Sequence, residues 1–430
     1  MSTIKTRSFA RAGLLGNPSD GYFGKTLSFA FADYCVDLTL SESARMRFVP
    51  GEVDDAMFDS PEQLVHDLRL FGYYGGIRML KAVAKLFFEY CFDHGIDIPK
   101  RNFTAEYRTN IPRLVGLSGS SAICSAMLKA LCRFYEVPIG EGGIPKDYAP
   151  TICLEAERDE LGINCGFQDR VIQMYGGLVF MDFRKDYVLA NNRGIYEELD
   201  PSLISSSTLA HSLNSTISQS HNPPISQSPN STIPQSHNNS TISQSHNNSL
   251  NLYIAFDPNR AEDSGQAHKK VKRLFEEKKP DILSAMSEFA DIAQQGRDLL
   301  VSQSLNFATP QSPNSPILQS HNPTISQSSN QTIKQFSQLI NANFDLRDRI
   351  FNVAEENRRM VMVSRSVGAS AKFAGSGGAI VGTFEDEEQF TRLGKALAQI
   401  GCTTFIPTIG TRDLESADLR KAKHTSWRNS

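Results

Sequence analysis

The sequence predicts an α+β protein with two hydrophobic cores, and three observations support this. Segments typical of strands and segments typical of helices are interleaved, but without the regular period of a doubly wound sheet. The chain has 430 residues, which is enough for two domains. Hydrophobic residues make up 40% and charged residues 21% of the chain, a balance typical of a globular protein.

The first part of the chain, residues 1–204, is predicted to form an α/β domain. Thr26 to Leu40 is apolar and alternating enough for paired strands, and Gly76 to Phe92 is an apolar-rich helix. Phe103 to Asn110 is typical of a strand that ends before the next proline. Ser120 to Tyr135 is predicted to be a helix, because its apolar side chains recur on one face.

The later part of the chain contains a second set of elements. Residues 251–307 begin with the apolar strand Leu252 to Phe256 and continue into charged helices. Residues 334–430 contain a further helix, a glycine-rich turn at Gly375 to Gly378 and a closing α/β stretch.

Two insertions, residues 205–250 and 308–333, differ in composition from everything around them. Both are rich in Ser, Asn, Gln and Pro, and the first repeats one short unit that begins at Ser215, Ser231 and Ser240. Their few isoleucines cannot bury enough surface to offset the entropy of ordering, so we expect both to be disordered. Duplication of one unit explains the recurring histidines; metal binding and a role as an interaction region are the alternatives.

Several classes of function are disfavoured. The net charge of −3 gives no general attraction to nucleic acid or to an anionic membrane. No stretch approaches the roughly 20 apolar residues that span a bilayer, and residues 1–12 lack the apolar core of a signal peptide. The seven scattered cysteines form no C-x-x-C pair. We therefore expect a cytoplasmic protein without nucleic-acid or membrane partners; the oligomeric state stays open.

A loop between a predicted strand and a predicted helix carries most information about function. Its glycines let the backbone approach a ligand closely, its serines add donors, and it ends at a helix N-terminus that favours an anion. These features predict a polyphosphate cradle, although a capped helix after a Gly-Ser turn fits the composition equally well. The residues concerned are Pro112, Gly116, Leu117, Ser118, Gly119, Ser120, Ser121 and Ala122.

Three other segments become informative about function when their order along the chain relative to this loop is considered. Ala10 to Asp20 is by itself a short strand followed by a turn, and Lys372 to Ala379 is by itself a hairpin turn. Between them, Glu157 to Arg170 offers a charged helix end, a glycine turn and the isolated carboxylate of Asp169. Phosphoryl transfer needs such carboxylates, to hold a metal ion and to orient the attacking hydroxyl.

The segment from Ala10, the loop from Pro112 and the segment from Lys372 resemble, in that order, the three motifs of the GHMP kinases. The second motif of that family is P-x-x-x-G-L-x-S-S-A in outline, and this chain carries one extra residue at Ser118-Gly119, as the glucuronokinases do. The resemblance extends over nearly the whole chain outside the two insertions. It implies a ribosomal S5-like N-terminal domain, a ferredoxin-like C-terminal domain and an active site between them.

The resemblance also implies roles for individual residues. Asp169 corresponds to the catalytic aspartate, Arg11 to the basic residue near the transferred phosphate, and Ser121 with Glu157 to the Mg²⁺ ligands; Glu155 and Glu160 stay open as alternatives to Glu157. Gly375, Ser376 and Gly377 would lie near the phosphates of ATP. Asn17 and Asp20 would bind the sugar, but Gly16-Asn17-Pro18 replaces the usual Gly-Glu-His, which disfavours galactose.

The function that the resemblance implies is ATP-dependent phosphorylation of the anomeric hydroxyl of glucuronate, giving glucuronate 1-phosphate. A substrate carboxylate needs a cation, and Arg113, Arg170 and Arg108 are the candidates, since arginine binds carboxylates bidentately. The alternative, which fits equally well, is that these arginines pair with nearby acidic residues. The alternatives are a kinase for another sugar, such as galactose, arabinose or a heptose, and a catalytically inactive binding protein with the same fold.

Overall fold

The computed structural model describes residues 2–50, 75–204, 250–258, 265–307 and 323–410. The predicted disorder of residues 205–249 and 308–322 lies outside these ranges. One helix begins at Pro323, inside the second predicted insertion, so the helical part of the chain starts earlier than the composition indicated. A helix that is already nucleated adds residues at little cost, which allows a polar segment to extend an apolar-faced one.

A six-stranded sheet dominates the N-terminal part. Strands β1 (Thr3–Leu15) and β2 (Lys25–Ser43) form a long antiparallel pair. The opposite edge of β2 pairs with two strands, β4 (Asn102–Thr109) at one end and β5 (Leu178–Asp182) at the other. The remaining members are β3 (Arg47–Phe48) beside β4 and β6 (Ile195–Leu199) beside β5.

Helices cover one face of this sheet and form the first core. α2 (Gly119–Phe134) is the central helix, and it is buried on almost every side because its side chains are mostly small or apolar. It packs between the strands and its neighbours α1 (Gly76–Asp93) and α4 (Gln168–Tyr175). The other helices here are α3 (Ala149–Glu155), which continues into the π-turn Ala156–Glu160, and α5 (Lys185–Asn191).

The C-terminal part contains a smaller sheet with its own helices. Its strands are β7 (Leu252–Phe256), β8 (Lys372–Phe373), β9 (Ala379–Thr383) and β10 (Thr403–Phe405), in the order β10-β7-β9-β8. Its helices are α6 (Gly265–Glu276), α7 (Pro280–Phe307), α8 (Pro323–Ile350), α9 (Glu355–Ser366) and α10 (Glu387–Ala398). This strand order is that of a ferredoxin-like domain, and the α+β prediction is confirmed.

The two parts meet around the end of β1. The backbone N–H of Gly13 donates to the carbonyl of Ala374 at 2.7 Å, which joins the first strand to the segment after β8. Helix α7 packs against β2, and Phe31 forms an isolated β-bridge with Ile409. The junction therefore brings together segments that are more than 350 residues apart in the sequence. Within the described ranges, no helix combines the length and apolar character needed to cross a membrane.

Candidate active site

A cavity of about 370 Å³ lies at this junction. It is lined by four segments: the turn after β1, the loop before α2, the segment before α4, and the glycine-rich turn after β8. Two side chains from the C-terminal helices, Lys272 of α6 and Arg347 of α8, complete the lining. The three sequence motifs and the predicted catalytic segment thus share one cavity.

The loop before α2 has the backbone that its glycines were expected to allow. Gly116 has φ +77°, and Ser118, at the N-cap of α2, is also left-handed with φ 65°. A Cβ on Gly116 would lie 2.2 Å from the carbonyl oxygen of Gly377, so the two glycine-rich segments touch where no side chain fits. Of the eight predicted loop residues, six line the cavity, whereas Ser121 and Ala122 are buried behind it.

The glycine-rich turn after β8 is held from behind by Arg347. The guanidinium of Arg347 donates to the carbonyl oxygens of Gly375 at 2.9 Å and Ser376 at 2.6 Å. It also lies 5.1 Å from the ring centres of both Phe351 and Phe373. Gly375 and Ser376 line the cavity as predicted, and Gly377 forms the contact with the other loop. Sequence reasoning assigned no role to Arg347, although its segment resembled the family.

Arg11 and Asp169 form a bidentate ion pair at the centre of the cavity. Nε and Nη2 of Arg11 donate to the two oxygens of Asp169 at 2.6 and 2.9 Å. Nη1 of Arg11 donates to the carbonyl oxygens of Gly116 at 2.7 Å and Ala374 at 3.1 Å. Arg11 is only 5% exposed. One buried guanidinium therefore fixes the predicted catalytic carboxylate relative to both glycine-rich segments.

Asp169 is held in its ionised form. Burial raises the pKa of Asp169, but the charges of Arg11 and Arg170 and the hydrogen bond from Ser118 outweigh burial and lower this pKa to about 2. The Ser118 hydroxyl lies 2.5 Å from Oδ2 of Asp169. Ser118, predicted to bind ATP, thus also contacts the predicted catalytic residue.

Asp20 lies in the turn after β1, on the other side of Asp169. Its Oδ2 accepts the backbone N–H of Gln168 at 3.2 Å. Burial, followed by the nearby charge of Asp169, raises the pKa of Asp20 to about 6. Asp20 lines the cavity, as does Asn17. Two carboxylates with opposite pKa shifts therefore lie in one cleft, which is typical of a functional site.

A buried polar network orients Asn17. The ammonium of Lys372 donates to Oδ1 of Asn17 and to the carbonyl of Gly13, and Lys372 is only 1% exposed. Asn343 of α8 donates to the carbonyl of Asn17 at 3.2 Å and accepts from the N–H of Gly16 at 2.6 Å. Burial, together with the charges of Arg347 and Arg11, lowers the pKa of Lys372. The turn that presents Asn17 and Asp20 is thus fixed by the C-terminal domain.

Glu157 lies in the π-turn and is paired with Arg170. Nε of Arg170 donates to Oε2 of Glu157 at 2.7 Å, and Nη2 donates to the same oxygen. Nη1 of Arg170 donates to the carbonyl of Gly166 at 2.9 Å. Every nitrogen of this guanidinium is therefore engaged within the protein. Arg170 nevertheless lines the cavity, and its role as the cation for a substrate carboxylate stays a prediction.

The predicted metal ligands have suitable donor chemistry. Oε1 of Glu157 is buried without a hydrogen-bond partner among the described residues, although a buried carboxylate oxygen normally has one. The Ser121 hydroxyl donates to the carbonyl of Ser118 at 3.3 Å and keeps its own lone pairs. Mg²⁺ prefers few hard oxygen ligands from protein, so Ser121 and Glu157 fit this ion.

Of the other predicted cations, only one lines the cavity. Arg113 lies in the loop before α2 and is exposed at the cavity. Arg108 lies on β4, is exposed and is not part of the lining.

The site has two glycine-rich loops facing an ionised carboxylate that is clamped by an arginine. This arrangement can hold an anion against backbone N–H groups and can orient a hydroxyl toward it, which defines a phosphotransferase.

Comparison with known proteins specifies the class further. Residues 78–177 match the family model described as the GHMP kinases N terminal domain. Over 380 residues the chain is 37% identical to "Probable glucuronokinase 2" of Arabidopsis thaliana. This alignment covers 87% of this chain and 82% of that protein. It is 36% identical to "Glucuronokinase 1" of the same plant, over 88% of this chain and 84% of that protein.

A solved structure with the same fold is that of Lactococcus lactis galactokinase complexed with galactose. It has a TM-score of 0.61 and 12% identity, and the match covers 96% of this chain and 95% of that one. The chain belongs to the GHMP kinase family, and it is a sugar kinase, a phosphotransferase with an alcohol group as acceptor.

Proposed function

We propose that this protein transfers the terminal phosphate of ATP to the anomeric hydroxyl of glucuronate, giving glucuronate 1-phosphate. The observation that carries the proposal is the ionised Asp169, clamped by Arg11 between the two glycine-rich loops. The choice of sugar is supported by the identity to the two Arabidopsis proteins over most of both chains.

Asp169 has the hydrogen-bonding capacity that this role requires. A carboxylate offers about four acceptor positions, and three are filled by two bonds from Arg11 and one from Ser118. The remaining position, on Oδ1, can accept the sugar hydroxyl. A carboxylate with a pKa of about 2 is a weak base. Asp169 therefore acts mainly by orienting the hydroxyl, which suits a loose transition state that needs little proton removal beforehand.

The loops and Arg11 supply the complementary part of the reaction. The loop residues from Gly116 to Ser120, together with Gly375 and Ser376, bind the phosphates of ATP through backbone N–H groups and hydroxyls. Arg11 carries a positive charge between both loops and stabilises the charge that develops on the transferred phosphate.

Mg²⁺ is the expected cofactor, and Ser121 and Glu157 would hold it. The ion supplies neutralisation of phosphate charge during transfer. Arg170 draws on only one oxygen of Glu157, so the other oxygen remains for the metal.

Turnover of ATP with a panel of sugars tests the proposal. The purified protein is incubated with ATP, Mg²⁺ and either glucuronate, galactose, glucose, arabinose or a heptose, and ADP release is measured. We expect the highest kcat/KM with glucuronate, and phosphorus NMR should identify a phosphate on the anomeric carbon. A higher kcat/KM with a neutral sugar, or a phosphate at another carbon, would contradict it. If no ADP is released with any of these sugars, the result would indicate an inactive binding protein.

A further inference from the structure

Helix α6 covers the turn that presents Asp20. The ring of Phe275 on α6 meets the ring of Tyr22 edge-on, with 5.0 Å between their centres. Residues three apart lie on the same face of a helix, so Lys272 projects from the face that meets this turn. The structure accordingly includes Lys272 in the lining of the cavity, beside Asp20, Gly21 and Tyr22.

Three buried arginines of the cavity have partners within the protein, whereas the side chain of Lys272 has none among the described residues. Arg11 is paired with Asp169, and Arg170 is paired with Glu157. Arg347 holds the carbonyls of the glycine-rich turn. The side chain of Lys272 forms no ion pair or hydrogen bond within the part of the chain that the structure describes, and it is exposed at the cavity.

A sugar acid bound here would meet unfavourable charge without such a cation. Asp20 and Asp169 lie close enough to each other for the charge of Asp169 to raise the pKa of Asp20. Two carboxylates repel a third, and the repulsion grows as the site loses water. Selectivity for an anionic sugar therefore requires a positive charge within reach of the sugar's carboxylate.

We propose that Lys272 binds the carboxylate of the sugar-acid substrate and so determines the preference for an acid over a neutral sugar. This inference rests on the proposed function. Arg113, the other exposed cation of the lining, lies in the loop assigned to ATP, whereas Lys272 lies against the turn assigned to the sugar. A lysine suits this position because its long stem lets the ammonium reach a carboxylate across an open cleft.

Replacing Lys272 by methionine and comparing two substrates tests the inference. Glucuronate and glucuronamide have nearly the same shape, but only glucuronate carries the charge. In Lys272→Met we expect the KM for glucuronate to rise about tenfold or more, as for loss of a charged hydrogen bond. The KM for glucuronamide, the KM for ATP and kcat should change little. Lys270→Met is the matched control, because Lys270 is on the same helix but outside the lining.

The outcomes separate this inference from the proposed function. If the unaltered protein phosphorylates glucuronate and Lys272→Met keeps the same preference over glucuronamide, the role of Lys272 is overturned while the function stands. A rise in the KM for ATP alone would assign Lys272 to the nucleotide and overturn the inference as well. If the unaltered protein does not phosphorylate glucuronate, both are overturned. An equal rise in the KM for glucuronate in Lys270→Met would show that the substitutions act by changing the helix, and it would overturn the role of Lys272 in binding.

Discussion

The two sides of the cavity are built in different ways. On the side proposed for the nucleotide, here called the nucleotide side, the loop before α2 and the turn after β8 approach so closely that a Cβ on Gly375 would lie 2.3 Å from the carbonyl of Gly116. On the side proposed for the sugar, here called the sugar side, the turn after β1 presents Asn17 and Asp20, which are held by side chains and backbone from α8, β8 and α4.

This difference distinguishes the structural features that kinases of one family share from the features that select a particular substrate. A phosphate is bound by backbone N–H groups, so the nucleotide side depends on glycines that permit one backbone shape. A sugar is recognised by particular hydroxyl and carboxylate partners, so the sugar side depends on side chains and their supports. Substitutions on the two sides should accordingly affect the KM of different substrates.

The largest effect is expected where the two sides meet, at Asp169. Asp169→Asn keeps the shape of the side chain but removes the charge and replaces one acceptor oxygen by a donor, which opposes Arg11. We expect kcat to fall roughly 10³-fold, as for loss of a group that orients and stabilises the reacting atoms. Steady-state assays with ATP and glucuronate measure this.

The control for this substitution is Asp159→Asn, which alters an exposed carboxylate of the π-turn that pairs with the neighbouring Arg158. It should leave kcat near that of the unaltered protein. Retention of near-normal turnover by Asp169→Asn would show that another group orients the sugar hydroxyl.

The loop before α2 was predictable from the sequence because it is local. The residues from Pro112 to Ala122 are contiguous, and their glycines, serines and apolar continuation predict a turn that leads into a helix; its role as a phosphate cradle stays a prediction that rests on the family resemblance. The central helix and the strand from Phe103 were predictable for the same reason, since their apolar periodicity is continuous.

The supports of the sugar side were not predictable in this way. Lys372 and Asn17 are 355 residues apart, and Asn343 and Gly16 are 327 apart, so no spacing rule relates them. Glu157 was expected either on a solvated helix face or at a metal ion, and Arg170 was expected either to bind the substrate or to pair with a nearby acidic residue. Their pairing depends on the π-turn, which has no clear signal in sequence.

The next largest effect tests the nucleotide side alone. Gly116→Ala adds a Cβ 2.2 Å from the carbonyl oxygen of Gly377, at a residue whose φ is +77°. The two loops must separate, so we expect the KM for ATP to rise about tenfold to 100-fold while the KM for the sugar changes less. Gly394→Ala is the control, because its Cβ would meet nothing within 4 Å and Gly394 lies outside the lining of the cavity. Equal effects of both substitutions on the KM for ATP would contradict this account.

The support of the sugar side can be tested at Lys372. Lys372→Met removes the donor for three buried acceptors, the side-chain oxygen of Asn17 and the carbonyls of Gly13 and Phe373. We expect the free energy of unfolding to fall by about 2–4 kcal/mol, measured by denaturant titration. In the folded fraction the KM for the sugar should rise several-fold through the loss of Asn17 orientation, with the KM for ATP nearly unchanged. A change in the KM for ATP of equal size would mean that Lys372 supports the whole cavity.

The smallest effect concerns the protonation of Asp20. The pKa of Asp20 is raised by burial to about 6, whereas an unfolded chain has a value near 3.8. The folded protein therefore binds a proton more tightly than the unfolded chain, and the protein loses stability as pH rises between these values. Asp20→Asn removes this loss, so we expect it to raise the free energy of unfolding by about 1–3 kcal/mol at pH 8 and to change it little below pH 4.

The same substitution should weaken the reaction that Asp20 supports. We expect ionised Asp20 to accept a hydroxyl of the sugar, so kcat/KM for glucuronate in the unaltered protein should rise with pH through about 6. Asp20→Asn should lower kcat/KM several-fold at pH 8 and remove that rise, while the KM for ATP stays unchanged. A stability gain that is the same at pH 4 and pH 8 would show that Asp20 is not buried as an anion. Greater stability combined with weaker sugar binding would mean that the sugar side retains an unfavourable buried charge because that charge recognises the substrate.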